Sequence, residues 1–334
     1  MYRKRLNVRI HLISSVCVIL TPVFLYSAQV DDKQLNLFSR ASLYSTVSQS
    51  LAGAGTAMPD GGMQGLINPA LTANCKSTGS LAAGYGRDPV FNNAALPLGV
   101  VLTDNNGAMG MYYRFLHGSS GSVHDFTLNF AGKLFEQVDD QGGVDFGMNI
   151  RYEQSVWKYY LLNTEDNQRS SKMRNNSVVL DIGFYQSRIM PGLDFALVIR
   201  NLTGYGWNDP DNGKKSSGKI GGGHRTIIMG VVYSTPFMGE NILLQIPLDI
   251  EMTNLFEKSI SNKYILRTGL EARISQLYTL RFGYAHAPDD PMDLIKDFDY
   301  KNLFFGGVGV FVKPLQLDFF TGKKEWGITA TYYY

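Results

Sequence analysis

The sequence predicts an all-β protein, a fourteen-stranded antiparallel transmembrane β-barrel preceded by a compact N-terminal segment without strands. Three observations lead to this prediction. Apolar positions alternate with other residues in fourteen runs between residues 79 and 334. Short and long connections take turns between these runs. The composition excludes the helical membrane proteins and the disordered proteins.

Composition narrows the fold class before any motif is considered. The mean hydropathy of −0.10 is too low for a bundle of membrane helices, because each helix needs about 20 mostly apolar residues. Aromatic residues make up 12% of the 334-residue chain, so it has enough apolar surface to bury and is not disordered. A soluble β-rich protein and a membrane β-barrel remain.

Residues 1–28 are predicted to be a secretory signal peptide. Four basic residues precede a mostly apolar stretch over residues 12–26, and small residues follow it. A membrane anchor is the alternative, but the stretch is short and Pro22 interrupts it. Without these residues the net charge changes from +2 to −2, because four basic and no acidic residues are lost. The mature chain therefore has no basic excess for binding nucleic acid.

Two regions follow the signal peptide. Residues 31–78 are rich in small residues and have no sustained two-residue period, so we expect no strands there. Residues 79–334 are predicted to form the barrel, with boundaries set by Gly, Asn, Asp, Pro or Ser. The predicted strands are 79–87, 94–103, 108–117, 126–138, 144–163, 177–188, 193–204, 225–236, 242–256, 264–275, 277–288, 303–313, 315–321 and 325–334.

The connections between the predicted strands indicate a barrel in the outer membrane. The longest are polar loops at 164–176, 205–224 and 289–302, and shorter turns alternate with the longer connections. Outer-membrane barrels have this asymmetry, with tight periplasmic turns and longer extracellular loops. A soluble sandwich has no reason to keep it in phase through fourteen strands.

The two faces of the predicted strands differ in polarity. In the strand 264–275, Leu266 and Leu270 share one face, while Arg267 and Glu271 share the other. A half-exposed soluble sheet alternates in the same way. However, so many strands would enclose more apolar interior than one core needs. We therefore expect the apolar faces to contact lipid and the polar faces to line a lumen.

The last predicted strand, 325–334, ends in Tyr332, Tyr333 and Tyr334. Terminal aromatic strands resemble the recognition signal of outer-membrane barrel assembly, and aromatic residues also suit the membrane interface. The expected partners are therefore outer-membrane lipid and the barrel-assembly machinery, which would recognise the C-terminal strand.

Small residues and an Asn-Pro-Ala motif stand just before the first predicted strand. This arrangement resembles the start of the FadL-like outer-membrane long-chain fatty-acid transporters, to which PorV-type outer-membrane barrels are related. The resemblance implies location in the cell outer membrane and a small N-terminal hatch, residues 31–78, that plugs the lumen. Locally, the tripeptide also has the pattern of an Asn N-cap followed by Pro at the first helical position. The hatch-motif residues are Gly53, Gly55, Gly61, Gly62, Asn68, Pro69 and Ala70.

The resemblance further implies passive uptake of long-chain fatty acids or other hydrophobic molecules through the hatch-gated barrel. A carboxylate ligand needs basic lumen groups, and an acyl chain needs an apolar surface at the mouth. Inward periodicity selects Arg200, Arg267, Arg273 and Arg281 as basic candidates. The loop 289–302 offers the apolar candidates Met292, Leu294, Ile295 and Phe298. The alternative for the arginines is a set of lumen salt bridges with Asp194, Asp249, Glu251 and Glu271.

Two other functions remain open, a PorV-like scaffold or shuttle partner of a protein secretion system and a general porin. An enzyme is not expected, since no motif proposes catalytic residues. The sequence has no HExxH pattern, and Cys75 is the only cysteine of the mature chain, so neither a metal site nor a disulfide is expected. No GxGxxG motif suggests a dinucleotide, and no cofactor is expected.

Overall fold

Antiparallel strands form most of the described chain in the computed structural model. No helix among the described residues is long and apolar enough to cross a membrane. The predicted signal peptide, Gly61 and the predicted apolar loop residues Met292, Leu294, Ile295 and Phe298 lie outside the described residues. The structure describes residues 46–59, 62–75, 77–88, 93–104, 107–118, 121–135, 142–161, 169–210, 220–221, 225–237, 241–253, 263–286, 302–322 and 326–334.

The elements follow the chain from one short helix through two 3-10 helices to the strands. The helix α1 spans Thr46–Ser50, and the 3-10 helices span Gln64–Leu66 and Pro69–Asn74. The strands are β1 Gly79–Asp88, β2 Asn93–Thr103, β3 Gly107–Gly118, β4 Gly121–Phe135, β5 Val144–Leu161, β6 Arg169–Met190, β7 Leu193–Pro210, β8 Ile220–Gly221, β9 Thr226–Phe237, β10 Ile242–Thr253, β11 Lys263–Ile274, β12 Tyr278–His286, β13 Asn302–Val312, β14 Leu315–Gly322 and β15 Trp326–Tyr333.

Fourteen long strands close into a single antiparallel barrel, as predicted. The first strand pairs with the last, from Ser80 opposite Tyr333 to Arg87 opposite Trp326. All other long strands pair with their neighbours in sequence. The additional β8 is only two residues long and pairs with Tyr205 and Gly206 of β7. Closure leaves no free edge between the first and last strands.

The faces of the strands agree with the predicted alternation. On β11, Leu266 and Leu270 are 40% and 45% exposed, whereas Glu271 is completely buried. Large apolar side chains are likewise exposed on the outer face of the other strands, and buried polar side chains such as Asp125 and Asn149 point inward. A two-residue period thus separates an apolar exterior from a polar interior.

The predicted loops 164–176 and 205–224 are wrong in part, because the strands next to them are longer than expected. The strand β6 begins at Arg169 instead of Ser177, and β7 continues to Pro210 instead of ending at Gly204. Polar side chains link this extension across the strands, since the Asn176 Oδ1 accepts hydrogen bonds from the Tyr152 hydroxyl and Gln154 Nε2, both at 2.9 Å. Polar residues on the outer face hide the alternation that would have predicted these strands.

The three longest connections, 211–225, 254–262 and 287–301, all join strands at the same end of the barrel. We call this the long-connection end and the opposite end the short-connection end. At the short-connection end, β6 and β7 are joined by two residues and β13 and β14 by two residues. This geometry provides a reference for the position of each interior group.

Candidate functional site

The interior of the barrel holds the N-terminal residues 46–75, which we call the inner segment. Leu51, Ala54 and Leu71 in this segment are completely buried. They belong to one apolar cluster with inward residues of the wall, including Ala196 and Val232. Burying this many apolar side chains favours a docked segment, by about 25 cal/mol for each Å² removed from water.

The Asn-Pro-Ala motif begins the second 3-10 helix and attaches it to the wall. The Asn68 Oδ1 accepts a hydrogen bond from the Ala70 N–H at 3.0 Å, and Pro69 occupies the first helical position. This is the N-cap arrangement expected from the sequence. The Asn68 Nδ2 also donates to the carbonyl oxygens of Thr56, at 3.0 Å, and Phe184 of β6, at 3.1 Å. One buried side chain therefore joins two parts of the inner segment to the barrel.

Glycines in the wall make room for this motif. Gly147 of β5 and Gly183 of β6 are opposite each other in the strand register. A Cβ on Gly183 would lie 2.8 Å from Pro69 Cδ, and one on Gly147 would lie 2.5 Å from the Ala70 nitrogen. Both distances are shorter than van der Waals contact, so any other residue would displace the motif. Neither glycine is among the predicted site residues, although both occupy inward positions of adjacent predicted strands.

A second glycine surface, on a distant part of the wall, contacts Ser50 at the end of α1 and Leu51 directly after it. A Cβ on Gly283 of β12 would lie 2.6 Å from Leu51 Cα. One on the neighbouring Gly269 of β11 would lie 2.8 Å from Leu51 Cδ2, and one on Gly307 of β13 would lie 3.0 Å from Ser50 Oγ. The inner segment therefore spans the lumen from the β5–β6 wall to the β11–β13 wall.

Asp249 of β10 holds the turn between these two contacts. Its Oδ2 accepts hydrogen bonds from the Gly55 N–H at 3.0 Å, the Thr56 N–H at 2.9 Å and the Thr56 hydroxyl at 2.6 Å. Gly53 and Gly55 have φ angles of +84° and +138°, which favour glycine. This backbone conformation directs the Gly55 and Thr56 amides towards the Asp249 carboxylate. The sequence suggested Asp249 as a salt-bridge partner of the lumen arginines, but these hydrogen bonds make it an anchor of the inner segment.

Further hydrogen bonds between the inner segment and the wall also run through side chains. Asn129 Nδ2 donates to the Pro69 carbonyl at 3.1 Å, and Asn149 Nδ2 donates to the Gly65 carbonyl at 2.9 Å. Asn74 Nδ2 donates to Asp145 Oδ2 at 2.5 Å. Gly62, the remaining hatch-motif glycine among the described residues, approaches β1 and β15, since its added Cβ would lie 2.7 Å from the Cβ of Ala82 and 2.9 Å from Thr331 Cγ2.

The four predicted arginines lie on inward positions of their strands and contact protein groups. Arg267 pairs with Glu251 at 2.6 Å, and Arg200 Nη2 donates to the Ile67 carbonyl at 3.3 Å. Arg200 is opposite Thr226, which begins β9 at the long-connection end, and Arg267 also lies nearer that end. Arg273 and Arg281 lie nearer the short-connection end. A ligand-binding role for these arginines stays a prediction.

A buried ion network occupies the short-connection end. Glu271 pairs with Arg281 at 2.6 Å and with Arg273 at 2.5 Å, and Arg281 also pairs with Asp318 at 2.7 Å. The side chains of Glu271 and Arg281 are completely buried, whereas that of Arg273 is 24% exposed. The arrangement binds β11, β12 and β14 together next to α1, because Arg281 is opposite Gly307, which contacts Ser50.

We expect Glu271→Ala to destabilise the barrel by about 3–5 kcal/mol, because it leaves the buried Arg281 charge with one fewer carboxylate. Arg273→Gln removes a partly exposed partner of the same carboxylate and should cost about 1 kcal/mol or less. Urea unfolding of the refolded protein, followed by tryptophan fluorescence, measures both. Equal decreases in the free energy of unfolding would show that the buried Glu271–Arg281 pair contributes no more to stability than the partly exposed Arg273.

Apolar side chains cover the inner segment towards the long-connection end. Ala52 of the segment belongs to a buried cluster with Leu116, Val123, Phe305 and Phe320, which come from the wall. The Phe305 ring packs against Gly322 of β14, and the Phe320 ring packs against Gly327 of β15. This part of the lumen is therefore apolar, although the wall around it also carries charges. In the described part of the chain, no group of three or more His, Cys, Asp or Glu side chains could hold a metal ion.

A closed barrel of fourteen long antiparallel strands around an N-terminal segment with an Asn-Pro-Ala motif has the fold of the FadL-like barrels. The predicted resemblance is thus confirmed at the level of fold. Among solved structures, the CymD monoaromatic hydrocarbon channel is similar with a TM-score of 0.57 and 12% identity over 88% of this chain and 98% of that one.

Two toluene transporters have the same fold. TbuX of Ralstonia pickettii matches with a TM-score of 0.57 and 11% identity over 89% of this chain and 100% of the transporter. TodX of P. putida matches with a TM-score of 0.54 and 9% identity over 87% and 98%. No known protein-family profile matches the sequence, and no curated protein matches it either.

Proposed function

We propose that this protein is an outer-membrane channel for the passive uptake of hydrophobic molecules, with the inner segment as its hatch. The observation that carries this proposal is how the segment is attached. It crosses the lumen between two glycine surfaces. The Asp249 carboxylate accepts hydrogen bonds from the segment, and the Asn129 and Asn149 amides donate hydrogen bonds to it. A segment attached in this way can move without breaking the strand pairing of the wall.

The apolar exterior supports placement in the membrane. Exposed Leu, Phe, Val and Ile side chains cover the outer faces of the strands, where a soluble protein would expose polar groups. We propose that the long-connection end faces the cell exterior, after export directed by residues 1–28. Recognition of β15 by the barrel-assembly machinery completes this route.

The apolar cluster around Ala52, on the side of the long-connection end, supports a hydrophobic substrate. A molecule entering from the long-connection end would meet Leu116, Phe305 and Phe320 before it reaches the inner segment. The similar solved structures are named as a hydrocarbon channel and toluene transporters, which agrees with this chemistry. For a long-chain fatty acid, Arg267 and Arg200 are the candidates for the carboxylate. Arg267 lies nearer the same end, and Arg200 is opposite Thr226, which begins β9 at that end.

Permeation through liposomes tests the proposal. We expect liposomes whose outer leaflet is lipopolysaccharide, which resists apolar molecules, to take up a fluorescent fatty acid and toluene several times faster with the refolded protein than without it. Sugar-driven swelling should stay at the protein-free rate, because the inner segment fills the lumen. Rapid swelling in sugar with no gain for hydrophobic molecules would contradict the proposal and indicate a general porin.

A further inference from the structure

An inward carboxylate lies on the wall between the inner segment and the long-connection end. Glu153 of β5 is opposite Asp125 of β4 and Ser177 of β6, and directly paired residues share one face of a sheet. Since Asp125 is buried inside the barrel, Glu153 also points into the lumen, where it is partly exposed. Asn149, which donates to the Gly65 carbonyl of the inner segment, is four residues earlier on β5, about 13 Å along the strand. A molecule that enters from the long-connection end therefore passes Glu153 before it reaches the inner segment.

The other charged groups around Glu153 are already paired with one another. Arg114 forms an ion pair with Asp125 at 2.8 Å, and Arg151 forms one with Asp181 at 3.7 Å. Glu153 itself forms neither an ion pair nor a hydrogen bond with a side chain in the described part of the chain. By formal charge, three carboxylates therefore face two guanidinium groups. This part of the lumen wall has one negative charge in excess.

Oxygen atoms without partners adjoin this carboxylate. Ser155, two residues farther along β5, points inward and is only 4% exposed, and its hydroxyl has no hydrogen-bond partner among the described residues. The Ser177 hydroxyl likewise has none within the described ranges. Opposite Ser155, the buried Asn175 Oδ1 accepts no hydrogen bond from the described residues. A ligand with several hydrogen-bond donors would give these oxygens the partners that the wall does not.

The apolar cluster of the lumen begins beside these polar groups. Val123 is opposite Ser155, and Leu116 is opposite Val123. Both belong to the buried cluster that contains Phe305 and Phe320. Because adjacent strands are about 4.8 Å apart, Leu116 lies roughly 10 Å from Ser155 across the sheet. The site therefore suits a molecule with an apolar body and a positively charged donor at one end.

We propose that Glu153, with the Ser155 and Ser177 hydroxyls, binds the ammonium group of an apolar amine on its way to the inner segment. An ammonium has three N–H donors, and its charge balances the formal excess of this wall. Charge-assisted hydrogen bonds are stronger than neutral ones, so a hydroxyl should bind less tightly and a carboxylate should be repelled. The inference names a substrate class and rests on the proposed function, the uptake of hydrophobic molecules.

Equilibrium dialysis of the refolded full chain in phosphatidylcholine nanodiscs tests this site, with binding to empty nanodiscs subtracted. The probes are 4-ethylbenzylamine, 4-ethylbenzyl alcohol and 4-ethylbenzoate, which have similar shapes and different charges. We expect the amine to bind about tenfold more tightly than the alcohol, and the benzoate to bind least. Glu153→Gln should weaken amine binding about tenfold and strengthen benzoate binding, because the carboxylate charge is lost while an acceptor oxygen remains. Structural damage alone would weaken binding of both probes.

Glu251→Gln is the matched control for Glu153→Gln. Glu251 is also an inward carboxylate nearer the long-connection end, but it pairs with Arg267 at 2.6 Å. This variant should bind the amine as the unchanged protein does, and heat-modifiable migration confirms that both variants have folded. Equal affinities of the unchanged protein for amine and benzoate, or unchanged amine affinity in folded Glu153→Gln, would overturn the inference. Failure of toluene uptake with amine binding intact would instead remove the proposed transport function alone.

Discussion

Gly283→Val should open the barrel to ions, raising its conductance in planar bilayers at least about tenfold. A Cβ at this position would lie 2.6 Å from Leu51 Cα and would also meet the Ala52 backbone. Backbone atoms of Leu51 and Ala52, which directly follow α1, cannot rotate out of the way as a flexible side chain could, so this part of the inner segment must leave the wall. Valine itself suits a strand, and we expect the barrel to assemble.

Gly306→Ala is the matched control for Gly283→Val. Gly306 is on the adjacent strand β13, opposite Phe282, and its added Cβ would meet only the Arg281 carbonyl oxygen, at 3.8 Å. Its conductance should equal that of the unchanged protein. If folded Gly283→Val shows no more conductance than the unchanged protein, the inner segment is not the barrier to ions. Loss of heat-modifiable migration in that variant would make α1 part of the structural core.

Asp249→Ala should release the turn of the inner segment, at a cost to its docking of about 3–6 kcal/mol. The change removes three hydrogen bonds and leaves the Gly55 and Thr56 amides without their acceptor. Bonds to a charged group are worth about 1.5–3 kcal/mol each, and the sum is reduced because neighbouring bonds are not independent. Hydrogen exchange at residues 53–58 measures the release directly.

Asp249→Asn provides the control for this release. The amide keeps one carbonyl oxygen at nearly the same position, so it can still accept hydrogen bonds from the turn. Exchange at residues 53–58 should therefore rise much less than in Asp249→Ala. If both variants exchange as slowly as the unchanged protein, apolar burial alone holds the segment, and Asp249 is not its anchor.

Much of the barrel could be predicted from the sequence, because strand faces are a local property. The two-residue period separates Leu266 and Leu270 from Glu271 without knowledge of any distant contact. The Asn68 cap is local as well, since its acceptor and the Ala70 amide are two residues apart. The number of strands and the N-terminal motif were therefore sufficient to identify the fold.

The interior contacts could not be predicted in the same way. Asn68 and Phe184 are 116 residues apart, and Gly55 and Asp249 are 194 apart. A glycine such as Gly183 has the same local pattern whether it admits another segment or marks a bulge. The outer parts of β6 and β7 were missed because their polar residues form hydrogen bonds across the strands, which gives no apolar alternation to recognise.

The two glycine surfaces impose an order in time on the assembly of this protein. Asn68 and Pro69 need β5 and β6, whereas Ser50 and Leu51 need β11, β12 and β13. Half of the barrel presents only one of these surfaces. The inner segment precedes every strand in the chain, but it reaches its final position only after β13 has joined. Until then its buried leucines lack their final neighbours, so the segment completes its packing only after most of the wall has formed, although it is synthesised before every strand.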